Sequence, residues 1–183
     1  MTIDELRTRL AKARAEIIAV MDVEGEKAGA DTAALVEQRI VSKGQKGDGG
    51  QLSPYSTKPV PAFLYFGKSR NQAGERAVRA AAKKKQGVSY RDFRGFNGLN
   101  VTPKNLQFTG RMWQGFGIVA VRKIADGVVE VEIGGKTPYS RLLLDAHSKR
   151  EQTEITAPSK AEIQLVTNGI EQRLRGIIQR NLS

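Results

Sequence analysis

Residues 43–61 read KGQKGDGGQLSPYSTKPVP, with four glycines and three prolines in nineteen positions. No helix or strand of useful length crosses such a stretch, because glycine costs backbone entropy and proline removes a donor. The spacing predicts a loop without regular structure here, its end held extended by Pro59 and Pro61. A structureless segment of this length inside a compact domain is functional or mobile.

Upstream, Ile3, Leu6, Leu10, Ala13, Ile17 and Val20 recur at spacings of three and four and predict an amphipathic helix over 2–21. Thr2 is its cap, and Asp4 and Glu5 suit the positive end of its dipole. The apolar stripe packs either on its own domain or on a neighbouring subunit. Gly25 and Gly29, in an acidic run, predict a break over 22–29. A second helix then runs over 32–42 with Leu35, Val36 and Ile40 inward.

Downstream, AFLYF (62–66) is a short strand or a hydrophobic plug. Residues 71–86 are alanine-rich and predict a helix without a convincing apolar face. Residues 88–105 mix aromatic, basic and turn-forming residues and read as loop. Alternation over 116–122 and 128–133 about Ala125-Asp126-Gly127 predicts a β-hairpin with Val129, Val131 and Ile133 on one face. A short helix follows from 140 to about 150. A last helix runs over 159–181, with Ser159 and Glu162 as a capping box and Ile163, Val166, Ile170, Leu174 and Ile177 as its apolar set. The fold class is α+β: a small antiparallel β-sheet packed with N- and C-terminal amphipathic helices. The 183 residues form a single domain, with an extended basic arm or insertion at about 43–105.

The net charge of +11 is concentrated. Between Lys58 and Lys123 there are 14 Lys or Arg against Glu75 and Asp92 alone, while the remainder holds 16 basic and 17 acidic residues. The balanced parts read as ordinary scaffold and the middle as a specialised positive insertion. Interleaved aromatics and arginines such as YRDFRGF (90–96) stack on bases, anchor a protein interface, or cover a solvated face.

Catalytic patterns fail. The chain has no cysteine, which excludes disulfides, a thiolate nucleophile and thiolate metal ligands. His147 is the sole histidine, flanked by Asp145 and Glu151, and no nucleophile-elbow motif accompanies it. GQKGDGG lacks the Gly-Lys-Ser/Thr of a phosphate loop and, with Asp48 alone, the ligands of a calcium loop. No cofactor or metal is expected. Charges begin at once at the N-terminus and no apolar run reaches the roughly 20 residues that span a bilayer, so no signal peptide and no membrane association are expected.

The order of short motifs carries a resemblance. GGQLSPYS (49–56) is followed by LQFTGRM (106–112), a hairpin ending in Ile-Gly, Pro-Tyr-Ser (138–140), Ala-Pro-Ser (157–159) and an amphipathic last helix. This series resembles the tail-completion or virion-morphogenesis proteins of tailed bacteriophages, which act at the head–tail junction. Gln51 stands where that family has an aromatic and Ser140 where it has alanine, and 66–105 looks like an enlarged insertion.

The resemblance implies a non-enzymatic virion protein that forms a homo-oligomeric, sixfold ring in the neck. It would lie between the connector or adaptor and the tail tube or terminator, with host cytoplasm as the place of assembly. The expected interface residues are Tyr55, Phe63, Tyr65, Phe66, Tyr90, Phe93, Phe96 and Tyr139. Arg76, Arg79, Lys83, Lys84, Lys85, Arg91 and Arg94 are expected to meet packaged DNA or an acidic partner. Leu106 and Trp113, with Met112, are expected as anchors that hold the exit of the insertion against the core, with Gly110 as the turn and Arg111 at the surface or an interface. The alternatives are a sequence-nonspecific nucleic-acid-binding protein using 67–105 and, more remotely, a small hydrolase using His147.

Overall fold

A computed structural model describes residues 2–106 and 110–183. The fold is α+β, with helices around two small antiparallel two-stranded sheets. Helix α1 runs without interruption over Ile3–Gln38, so the break expected at 22–29 does not exist. Its start is the one the sequence indicates. Thr2 Oγ1 accepts from the Glu5 amide, and the Glu5 carboxylate accepts from the Thr2 amide.

The two glycines read as breakers sit inside the helix for a tertiary reason. Strands β3 (Phe116–Ala125) and β4 (Val128–Gly135) form the hairpin, which lies against this part of α1. A Cβ on Gly25 would stand 2.8 Å from Val129 Cγ1, and one on Gly29 would stand 2.5 Å from Val131 Cγ1. Glycine lets sheet and helix approach more closely than any side chain permits. The register pairs Ile118 with Ile133 and Val121 with Val131, and Gly127 makes the turn at φ 74°. Val129, Val131 and Ile133 share the helix-facing side, as the alternation indicates.

This arrangement gives a sign test. On helix propensity alone Gly29→Ala stabilises by roughly 1 kcal/mol. Overpacking against Val131 and Ile118 is expected to reverse this to a net loss of about 1–2 kcal/mol. Urea denaturation reads the sign, and a stabilised variant would show that the hairpin does not rest on α1.

Helix α1 ends in a π-helical turn, Arg39–Lys43, closed by Gly44 at φ 62°. Helices α2 (Gln72–Lys83), α3 (Tyr90–Phe96), α4 (Arg111–Gln114), α5 (Pro138–Glu151) and α6 (Lys160–Leu182) follow in order. Ser159 and Glu162 cap α6 reciprocally, as expected. α6 runs antiparallel to α1, tied by Arg9 to the Leu182 carbonyl, Glu16 to Arg180 and Asn181, Glu24 to Arg173, and Arg39 to Glu162. Of its expected apolar set, Ile177 is buried, but Ile163 is exposed.

The main core lies where the end of α1, the base of the hairpin, α4 and α5 converge. It is built from Val36, Ile40, Leu52, Leu106, Met112, Trp113, Phe116, Leu144 and Ile155 among others. The 43–61 loop is largely irregular, as expected. It is pinned in its middle, however, with Leu52 and Tyr55 buried. Arg39 holds the first part: its guanidinium donates to the Gln45 and Ala157 carbonyls and pairs with Glu162 at 2.9 Å.

The region expected to be an extended arm is instead folded around a core of its own. Residues 62–65 form a 3-10 turn, neither a strand nor a plug. Strand β1 (Val60–Pro61) pairs with β2 (Gly87–Val88). Ala62, Val78, Val88 and Phe93 are buried together, with Tyr65, Ala81, Ala82 and Tyr90 packed on them. α3 replaces the expected loop at 90–96, and the Ser89–Asp92 capping box explains its start. No helix among the described residues is long and apolar enough to cross a membrane.

Candidate basic assembly surface

The second core decides which of the expected contact residues face outward. Val78 and the small residues Gly74, Ala81 and Ala82 turn one face of α2 inward, which a strict hydrophobic pattern does not reveal. A Cβ on Gly74 would meet the Asn97 side chain at 2.6 Å. The opposite face carries Arg76, Arg79, Lys83 and then Lys84 and Lys85, all exposed. Arg79 pairs with Glu75 at 2.8 Å and lies 4.8 Å over the Phe66 ring. Lys83, Lys84, Lys85 and Arg91 are exposed and enter no ion pair among the described residues.

The arginine at 94 is a correction. Expected to reach DNA or an acidic partner, it is 1% exposed. Its Nε and Nη2 donate to the Asn100 carbonyl at 3.1 and 3.0 Å, and Nη2 also donates to Asn105 Oδ1 at 3.0 Å. The guanidinium lies 4.2 Å over the Tyr55 ring. One turn of helix separates Arg91, outside, from Arg94, inside, and nothing in YRDFRGF indicates which arginine faces the core.

The aromatics divide in the same way. Tyr55 and Phe93, expected at an interface, are interior residues at 4% and 2% exposure. Tyr55 donates to Asn105 Oδ1 and accepts from the Leu106 amide, so it joins the two cores. Burial pushes its phenol above the usual range, partly offset by Arg94. Tyr65 stacks on Phe93 at 4.3 Å, and Tyr90 meets the Tyr55 ring edge-on at 5.6 Å; both are half-buried. Phe63, Phe66, Phe96 and Tyr139 remain at the surface, with Leu64 beside Phe63. Phe63, Leu64 and Phe66 form an apolar edge next to the cations of α2.

Leu106, Met112 and Trp113 are buried in the main core and hold the exit of the basic region, as expected. Gly110 precedes α4 at φ 79° and supplies the turn, and Arg111 is exposed. The middle of the LQFTGRM motif, residues 107–109, lies outside the described residues.

Two features had no sequence signal. One is a buried ion pair: Lys104 Nζ lies 2.7 Å from Glu151 Oε1, with both side chains 1% exposed. Glu151 Oε2 also accepts from the Ser53 amide and hydroxyl, both at 2.9 Å, so one carboxylate fastens the glycine-rich loop and the 104 segment to α5. Burial opposes its charge, but Lys104 and Ser53 prevail and hold its pKa down to about 2. The other is the surrounding of His147, which is lowered to about 4 by burial and by the charges of Lys104 and Arg150, against Glu151. No group of His, Asp or Glu among the described residues has the disposition to hold a metal ion.

The chain matches no known protein family, no curated protein and no solved structure with which it was compared.

Proposed function

We propose that this chain is a structural virion protein of a tailed bacteriophage, assembled as a ring at the head–tail junction. The observation that most supports an assembly role is the hairpin. β3 and β4, ten and eight residues long, pair only with each other among the described residues, so each keeps an edge without a strand partner, although α5 covers β4 at Gly135. Open edges of that length are templates for another strand and are normally blunted or covered. Val119, Ile124 and Val128 are exposed on this hairpin. Its outward-facing Arg122 bridges Glu130 and Glu132 at 3.1 and 3.2 Å, so the free face is not simply charged. The rigid α1–α6 pair behind the hairpin suits a subunit that holds neighbours at fixed angles.

The folded basic module fits a surface turned toward packaged DNA or an acidic face of an adjoining ring. Lys83, Lys84, Lys85 and Arg91, exposed and in no ion pair among the described residues, also favour a second reading, nonspecific nucleic-acid binding without a place in the particle.

Quantitative mass spectrometry of purified virions separates them. The neck reading expects the chain in the particle at six copies or a small multiple of six. Absence from particles, with tight duplex-DNA binding that falls steeply with salt, would instead establish the second.

A further inference from the structure

We propose that the small cavity between the two cores binds a single oxyanion of the sulfate or phosphate class. This inference does not depend on the virion reading. The cavity holds about 60 Å³ and is lined by Tyr55, Tyr90, Arg94, Lys104, His147 and Arg150, with Leu106 closing it. Three cations therefore line this space and no carboxylate does; Glu151, the partner of Lys104, is also bound to Ser53.

The decisive group is Arg94. It is 1% exposed, and its hydrogen bonds among the described residues go only to the neutral oxygens of Asn100 and Asn105. A buried guanidinium without an anionic partner is costly, and an anion beside it removes that cost. The His147 ring lines the same space. Arg150 makes only a 3.5 Å contact to the Pro54 carbonyl. Tyr55 is not a free donor, since its hydroxyl is committed to Asn105 and Leu106.

The cationic side chains thus come from α3, the 104 segment and α5, and they line one space together with the Tyr55 and Tyr90 rings. Planar guanidinium groups match oxyanion geometry, and an imidazole adds a third donor when protonated. The size sets the class: ligand pockets for nucleotide-sized molecules run to about 300 Å³ and more, so this one admits a single tetrahedral anion.

His147 is the only histidine in the chain, so its ring protons report the site without ambiguity. Burial opposes its protonation most, Lys104 and Arg150 oppose it further, and Glu151 favours it. An anion beside them favours the imidazolium. His147 is to be titrated by proton NMR in sodium sulfate and in sodium chloride at equal ionic strength, since sulfate keeps its charge across the range. The expected result is a His147 pKa higher by about one unit in sulfate, equivalent to roughly tenfold tighter binding to the imidazolium form. Sulfate affinity then rises as pH falls.

Arg150→Gln, an exposed position, should reduce the sulfate-dependent shift several-fold while the far-ultraviolet spectrum stays unchanged. Identical titration in the two salts would overturn the proposal. So would a sulfate-dependent shift that survives Arg150→Gln undiminished.

Discussion

Replacing Glu151 by glutamine is expected to destabilise the fold by about 3–5 kcal/mol, the cost of leaving a buried partner charge uncompensated. Lys104 is the charge left behind: its side chain is 1% exposed and its ion pair is with Glu151. Glutamine retains the shape and an acceptor for Ser53, so the loss isolates the charge. Urea denaturation followed by circular dichroism measures it. The double variant Lys104→Met, Glu151→Leu should recover much of the loss, because an apolar pair does not carry the desolvation cost that the single variant exposes. A double variant as unstable as the single one would show that Ser53 anchoring, not charge compensation, is what Glu151 provides.

The same residue fixes an acid window. Glu151 has a folded pKa of about 2, below the ordinary 4.5, so its contribution is complete above 4.5 and is lost as pH falls toward 2. His147 acts in a higher window. Its folded pKa of about 4 lies below the ordinary 6.5, so the unfolded chain takes up its proton first and stability falls as pH drops from 6.5 to 4. In Glu151→Gln the lower window should flatten while the His147 window persists.

Trp113→Ala is expected to cost about 3–5 kcal/mol, the range for emptying a buried aromatic site. The ring is 4% exposed and meets Phe116 edge-on at 5.5 Å. It also joins Leu106 and Met112, so its loss loosens the point where the basic module rejoins the main core. Trp113→Phe separates packing from hydrogen bonding. The indole Nε1 is buried and has no acceptor among the described residues, so phenylalanine removes an unsatisfied donor along with part of the volume. The phenylalanine variant should therefore lose less than half of what alanine loses. Because this is the only tryptophan, unfolding must be followed by circular dichroism rather than fluorescence.

The sequence was most legible where local chemistry decides the outcome. Ala125-Asp126-Gly127 places the hairpin turn, and Ser159 with Glu162 starts α6, because turn geometry and capping act within a few residues. It was least legible where distant residues decide. Gly25 and Gly29 look like breakers until the hairpin, roughly a hundred residues later, is seen to need their flat surface. Ser89 and Asp92 carried a readable capping signal for α3, masked by the turn-prone residues that follow.

The candidate contact surface was half legible. Charge density identified the region, but the inward turn of Arg94, Tyr55 and Phe93 depends on packing against Val78 and Asn105, which no local pattern encodes. Lys104 and Glu151 are 47 positions apart and were unremarkable as individual residues.

The length of α1 has a mechanical consequence. Its 36 residues measure about 54 Å at 1.5 Å per residue. A compact chain of 183 residues has a radius of gyration near 16 Å, so a straight rod of that length outreaches the body. The overhang is at the N-terminal end, where Ile3 and Leu10 are exposed and the last turn of α6 reaches only to Arg9. A contact made at the tip of α1 would therefore lie beyond the body of the fold, at a distance set by the number of helical turns, and removing one turn there would shorten that reach by about 5.4 Å.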